Sequence, residues 1–179
     1  MTNCTHTYKK NDWSGDLIEP LPDMFGVLKQ TYHNKPKLRL HNLAISESDG
    51  LVKMYRVDPE KIASGDVPQW SDGCSTMTPE THLEFLRDHM IEVEVVSKTF
   101  KSFAQQDSKN TKYDLIQIDT EGYDYKIYNQ IMQYGLRPKL FKIEIAHITF
   151  NTAKYMQWEL ETAGYKTFID NYDLIAYRM

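Results

Sequence analysis

The segment "DLIQIDTEGYDYKIY", Asp114 to Tyr128, drives an apolar run straight into Asp119, Glu121 and Asp124. Burying an unpartnered carboxylate is costly, so acids here belong at an edge where a strand stops. Two other runs end the same way. "KIEIAH" finishes on Glu144 and His147, and "GDLIEP" finishes on Glu19. "KLRLHNLAIS" adds Asn42 near its end. In open parallel sheets ligands bind outside the carboxyl ends of the strands. Carboxylates and an imidazole gathered there can take a proton from a substrate hydroxyl. Asp119, Glu121, Glu144 and His147 are also suitable ligand types for a divalent cation, although no spacing fixes their mutual distances. Quieter roles compete: Asp119 as a helix cap, Glu144 as an ion-pair partner of Lys142, and His147 as a hydrogen-bonded rim residue.

These residues need strands and helices to position them. Short apolar runs alternate with helical patterns, which predicts an α/β domain with a mostly parallel sheet flanked by helices. "DMFGVLKQTY" reads as a helix with Asp23 as its N-cap. "KLRLHNLAIS" reads as one strand and "LVKMYRV" as its hairpin partner, joined by the "ESDG" turn. Asp58 to Thr81 is polar and rich in Pro, Gly, Ser and Thr, and reads as a long irregular loop of the kind that carries function. "PETHLEFLRDHM" is a short helix, "IEVEVVSKTF" a strand and "FKSFAQQ" a helical turn. "YDYKIYNQIMQYG" and "TAKYMQWELETAG" are helices stopped by Gly135 and Gly164. "YKTFIDN" and "DLIAYRM" close the chain as an antiparallel strand pair.

A chain of 179 residues suits a single domain, residues 1–179, with a sizeable core. Its net charge of −4, with Lys9–Lys10 the only adjacent basic pair, argues against nucleic acid as a partner. Two distant cysteines, Cys4 and Cys74, make neither a disulfide framework nor a zinc motif. With no signal-peptide core and no membrane-length apolar run, the expected setting is cytoplasmic and away from membranes. Oligomeric state is not legible.

Four segments resemble the FkbM family of S-adenosylmethionine-dependent methyltransferases, whose fold is Rossmann-like, class I. They are "WSGDLIEPLPDMFGVLKQTY", "NLAISESDGLVKMY", "IEVEVVSKTFKSF" with "YDLIQIDTEGYDYKIY", and "LRPKLFKIEIAH" with "GYKTFIDNYDLIAYRM". The Asp-x-Glu-Gly after a buried strand is the most specific of these features. The resemblance implies S-adenosyl-L-methionine as cofactor and O-methylation of a hydroxyl on a sugar or small metabolite. Glu19 would hold the ribose hydroxyls, a task suited to a bidentate carboxylate. Asn42 and Ala44 would flank the adenine, and Asp119 would sit near the methionine end. Asp119, Glu121 or His147 would act as general base. The Asp58–Thr81 stretch would form the acceptor lid, with Trp70, Ser71 and Ser75, joined by Glu144, binding the acceptor.

The likeness begins after the family's first strand and glycine-rich loop. None of the eight glycines is followed by another two positions on, so there is no GxG, and "CTHTYKKNDW" resembles the end of the first helix. The expectation is an amino-terminally incomplete domain. Two alternatives stand beside the methyltransferase: a non-catalytic binding protein of the same fold, and a divalent-metal-dependent hydrolase. A nicotinamide dehydrogenase would need the same absent glycine motif.

Overall fold

The computed structural model describes residues 12–81, 84–108 and 110–179; Cys4, Lys9, Lys10 and most of the expected helix end at 4–13 lie outside them. The described chain is mixed α/β and divides into two compact units, residues 1–52 with 94–110, and residues 53–93 with 111–179. No helix among the described residues is long and apolar enough to cross a membrane.

In the first unit, β1 (Gly15–Ile18) pairs in parallel with β2 (Leu38–His41), Gly15 opposite Leu38 and Ile18 opposite His41. The ladder continues one bond further, from the Glu19 amide to the His41 carbonyl at 3.0 Å. Between the two strands runs α1 (Pro22–Thr31), opened by Pro22, whose missing N–H costs nothing at a helix start. Its N-cap is Leu21 rather than Asp23, and Asp23 instead faces the positive helix end from the first turn. The Glu19 carboxylate takes over part of the capping by accepting from the Leu21 amide at 2.9 Å.

The expected strand "KLRLHNLAIS" is broken at Asn42, giving β2 and a separate β3 (Ala44–Ile45) that pairs in parallel with β6 (Met90–Lys98). The cause is tertiary. The Asn42 amide nitrogen donates to the carbonyls of Glu19 (2.9 Å) and Pro20 (2.8 Å), pulling the chain out of the ladder. Below β1 and β2, the Asp16 side chain is almost wholly buried, 4% exposed. It accepts from Arg39 Nε (2.9 Å) and Nη2 (2.8 Å), Ser108 Oγ (2.9 Å) and Asn110 Nδ2 (3.0 Å), and lies 2.8 Å from His41 Nε2. A buried carboxylate is tolerable only with this density of donors. Helix α4 (Phe100–Gln106), capped by Thr99, adds Phe103, which meets the His41 ring edge-on at 5.0 Å.

In the second unit the sheet order is β7 (Leu115–Ile118), β8 (Leu140–Glu144), β10 (Asp173–Tyr177), β9 (Lys166–Asp170). β7 and β8 are parallel, and β10 is antiparallel to both β8 and β9, so the chain does end in an antiparallel pair. Helices α5 (Asp124–Tyr134) and α6 (Phe150–Thr162) supply Tyr128, Ile131, Met156 and Leu160 to a core shared with Phe141, Ile143, Leu174 and Ala176. Gly135 ends α5 at φ 89°, where a Cβ would be strained.

Strand β4 (Gly50–Val57) pairs antiparallel with β5 (Ser75–Thr76) and not with β3, so the expected hairpin does not form. The Asp58–Thr81 stretch is not irregular either. It holds α2 (Pro59–Ser64), two 3-10 turns (Gln69–Gly73 and Pro79–Thr81) and β5. Asp58 caps α2 through the Glu60 amide, and Gly65 closes it in the left-handed region. Pro and Gly therefore mark a helix start and stop here, not a loop. Ile62 and Val67 pack with Val57 and Leu86, the last from the single-turn α3 (Glu84–Arg87), to make a small core of their own.

Candidate functional site

The site grows from the way β7 stops. Ile118 is buried, and the next five residues turn sharply before α5 begins. Asp124, at the first turn of α5 and 1% exposed, holds that turn: its carboxylate accepts from the amides of Thr120 (2.8 Å) and Gly122 (2.9 Å). Burial pushes this carboxyl upward, and the two amide bonds oppose the rise. Gly122 takes φ 109°, and Glu121 takes φ 56°, a left-handed conformation that a side-chain-bearing residue adopts at a cost of about 1–2 kcal/mol. A second clamp comes from β5: the fully buried Thr76 hydroxyl donates to the Glu121 carbonyl at 2.7 Å and accepts from the Thr78 amide at 2.9 Å. The acids that close the apolar strand are thus held in a turn fixed from both sides.

The β7–β8 register, Ile118 opposite Ile143, carried one residue on sets Asp119 level with Glu144. Glu144 also faces Asp173 across the β8–β10 pair, and Asp173 is held by Lys142 at 2.9 Å. Beyond β8 the chain brings His147 Nε2 to 3.0 Å from Glu121 Oε2, both side chains about one-fifth exposed. One donor atom from each of Glu121, Glu144 and His147 lies within 4.8 Å of the other two. Glu144 Oε2 is buried and has no hydrogen-bond partner.

So many carboxylates together separate their protonation states. Burial, then Glu121, Asp119 and Asp124, push the Glu144 carboxyl up to about 8, with His147 opposing. Protein crowding, then Glu121, Asp124 and Asp173, raise Asp119 to about 6, with Lys142 opposing, although the residue itself remains open to solvent. At neutral pH Glu144 is mainly protonated while Asp119 is mainly ionised. Acid and base roles divide in this way when neighbouring carboxyls are pushed apart. The Cys74 thiol, raised to about 11 by burial and then by Glu121 and Glu144, stays protonated and unreactive.

The predicted site residues fall into groups. Asp119, Glu121, Glu144 and His147 come together in the second unit. In the first unit, Glu19 and Asn42 meet at the carboxyl ends of the parallel pair β1–β2, and the buried Ala44 opens β3 two residues beyond Asn42. Trp70 is 57% exposed and meets Phe85 edge-on at 6.3 Å. Ser71 is fully buried, its hydroxyl donating to the Pro68 carbonyl at 2.6 Å within the first 3-10 turn. Ser75 is half-buried on β5, opposite Arg56. Sequence reasoning missed Thr76 and the clamping role of Asp124. A carboxylate placed to cap the turn before its own helix was a readable signal for Asp124; nothing local signalled Thr76. Beside the loop carrying His147 lies an apolar cavity of about 240 Å³, lined by Ile145, Ile148, Phe150 and Ile169, with Lys154 and Gln157 among its walls.

No curated protein and no solved structure matches the chain. A family model described as the methyltransferase FkbM domain matches residues 1–169.

Proposed function

The chain belongs to the FkbM methyltransferase domain family, and on that premise we propose that it moves the methyl group of S-adenosyl-L-methionine to a hydroxyl of a sugar or other small metabolite. The proposal includes a Rossmann-like, class I arrangement for the domain. In the reaction the hydroxyl oxygen attacks the sulfonium methyl in line, the C–S electron pair stays on sulfur, and the hydroxyl proton passes to a base. Much of the acceleration in such a displacement comes from positioning.

Asp119 is the base in this reading. It is the solvent-accessible carboxylate at the carboxyl end of β7, ionised at neutral pH yet raised to about 6, near the value at which a proton acceptor works best. Its place at that strand end, level with Glu144 across the β7–β8 pair, carries the proposal. Glu121, with His147 against it, and Glu144 orient the acceptor. Glu19 takes the ribose hydroxyls, a role favoured by its place at the end of β1 with a carboxylate oxygen already fixed by the Leu21 amide. Asn42 spends its N–H groups on Glu19 and Pro20, which leaves its carbonyl oxygen for the adenine edge, with Ala44 giving the ring an apolar neighbour. The apolar cavity beside His147 suits the non-polar part of an acceptor, and Trp70 and Ser75 on the preceding segment complete its binding.

Calorimetric titration with S-adenosyl-L-methionine and transfer of labelled methyl to a panel of hydroxylated acceptors test this. Glu19→Ala is expected to remove donor binding. Asp119→Asn should lower turnover about 10²–10⁴-fold while donor affinity changes little. Absence of any binding heat, or an Asp119→Asn variant with full turnover, overturns the reading.

A further inference from the structure

We propose that Glu121, Glu144 and His147 bind one divalent transition-metal ion, with Mn²⁺ a fitting occupant. The Glu121 Oε2 to His147 Nε2 separation is 3.0 Å. Ligand bonds of 2.0–2.2 Å meeting at right angles place neighbouring donors about 3.0 Å apart, so this pair already forms one edge of an octahedral shell. The third donor lies within 4.8 Å of both, so Glu144 completes the shell by turning its carboxylate towards the pair.

The competing account is an imidazole–carboxylate contact beside a lone acid. It explains the 3.0 Å pair and leaves Glu144 unexplained. Its Oε2 is shut off from water and bonded to nothing, a state that costs about 1–3 kcal/mol for a polar group. A single cation seated among the three side chains gives the Glu144 carboxylate a partner together with the other two donors. The surroundings agree in sign: Asp119 and Asp124 add negative charge beside Glu144, and Asp173 adds more beside Asp119, where Lys142 opposes it. Two carboxylates and an imidazole suit Mn²⁺, Fe²⁺ or Zn²⁺. Ca²⁺, which takes six to eight oxygens, and Mg²⁺, which keeps most of its water, suit this set less well. Three protein ligands leave coordination positions for water or for a substrate oxygen.

The site does not rest on the methyl-transfer reading, and its test needs neither donor nor acceptor. The full chain, stripped with chelator, is titrated with Mn²⁺ while free Mn²⁺ is followed by its paramagnetic resonance signal. One ion per chain is expected, bound at micromolar concentration and displaced poorly by excess Ca²⁺. His147→Ala and Glu144→Gln should each weaken binding at least tenfold. A measurement on the unaltered protein guards against misfolded variants: bound Mn²⁺ should broaden the ring-proton resonances of His147 before those of His33 and His89. No bound Mn²⁺ at millimolar concentration, several weak sites indifferent to both substitutions, or unbroadened His147 resonances overturns the proposal. Mn²⁺ binding without donor binding would retire methyl transfer and leave the metal site standing.

Discussion

Replacing Glu121 by glycine should make the protein more stable while ending its activity. Glu121 sits at φ 56°, where a side chain costs about 1–2 kcal/mol and glycine suffers no steric penalty. Against this, glycine gives up about 0.5–1 kcal/mol more chain entropy on folding. The electrostatic consequences oppose each other. The contact with His147, between side chains about one-fifth exposed, is lost, and is worth about 0.2–1 kcal/mol. In return Asp119 and Glu144 lose the charge that helps raise both of them. The bond from Thr76 survives, because it ends on the backbone carbonyl. The net gain is at most about 1 kcal/mol, which for a chain of this length raises the melting temperature by at most about 2–4 °C. Glu121→Gln is the control: it removes the charge and keeps the backbone conformation, so it should melt near the parent. Thermal unfolding at pH 7 followed by circular dichroism reads the difference, and methyl-transfer assays should find both variants impaired. A glycine variant that melts below the parent, or together with the glutamine variant, refutes the idea that this turn holds strain for the sake of the site.

Two further outcomes follow from the same turn. Thr76→Val removes the hydroxyl that bonds both the Glu121 carbonyl and the Thr78 amide, so stability should fall by about 1–3 kcal/mol and turnover should drop with it; a melting curve and a rate unchanged from the parent would show that the clamp is idle. Because the folded protein raises Glu144 from 4.5 to about 8, it binds more protons at this group than the unfolded chain across that interval, and the contribution of Glu144 to stability is greatest below pH 4.5 and declines towards pH 8. Asp119 adds the same trend between 3.8 and about 6. Melting temperatures at pH 5 to 8 should therefore decline for the parent and flatten for Glu144→Gln, and parallel slopes would contradict the assignment.

Much of this was legible in the sequence where signals are local. The apolar run of β7 and its stop at Asp119 could be read from burial cost alone, and Gly135 announced the end of α5. Asp119, Glu121, Glu144 and His147 could be gathered because each ends or follows a strand, and the ends of parallel strands share an edge. What could not be read depends on contacts distant along the chain. Asn42 breaks its strand because carbonyls 22 and 23 residues earlier accept its amide protons. Thr76 reaches Glu121 across 45 residues. In the Asp58–Thr81 stretch, Pro and Gly serve equally as loop formers and helix ends, and only the small core around Ile62 and Val67 decides between them. Protonation was also hidden, since which carboxyl keeps its proton depends on distances that composition does not contain.

The Asp16 cluster bears on how the chain emerges during synthesis. Arg39 and His41 follow it closely, but Ser108 lies 92 residues downstream and Asn110 94. Until the ribosome has released that stretch, the Asp16 carboxylate lacks two of its donors and keeps its hydration. Strand β1 is therefore made well before it is seated, waiting on a segment 92 to 94 residues further along.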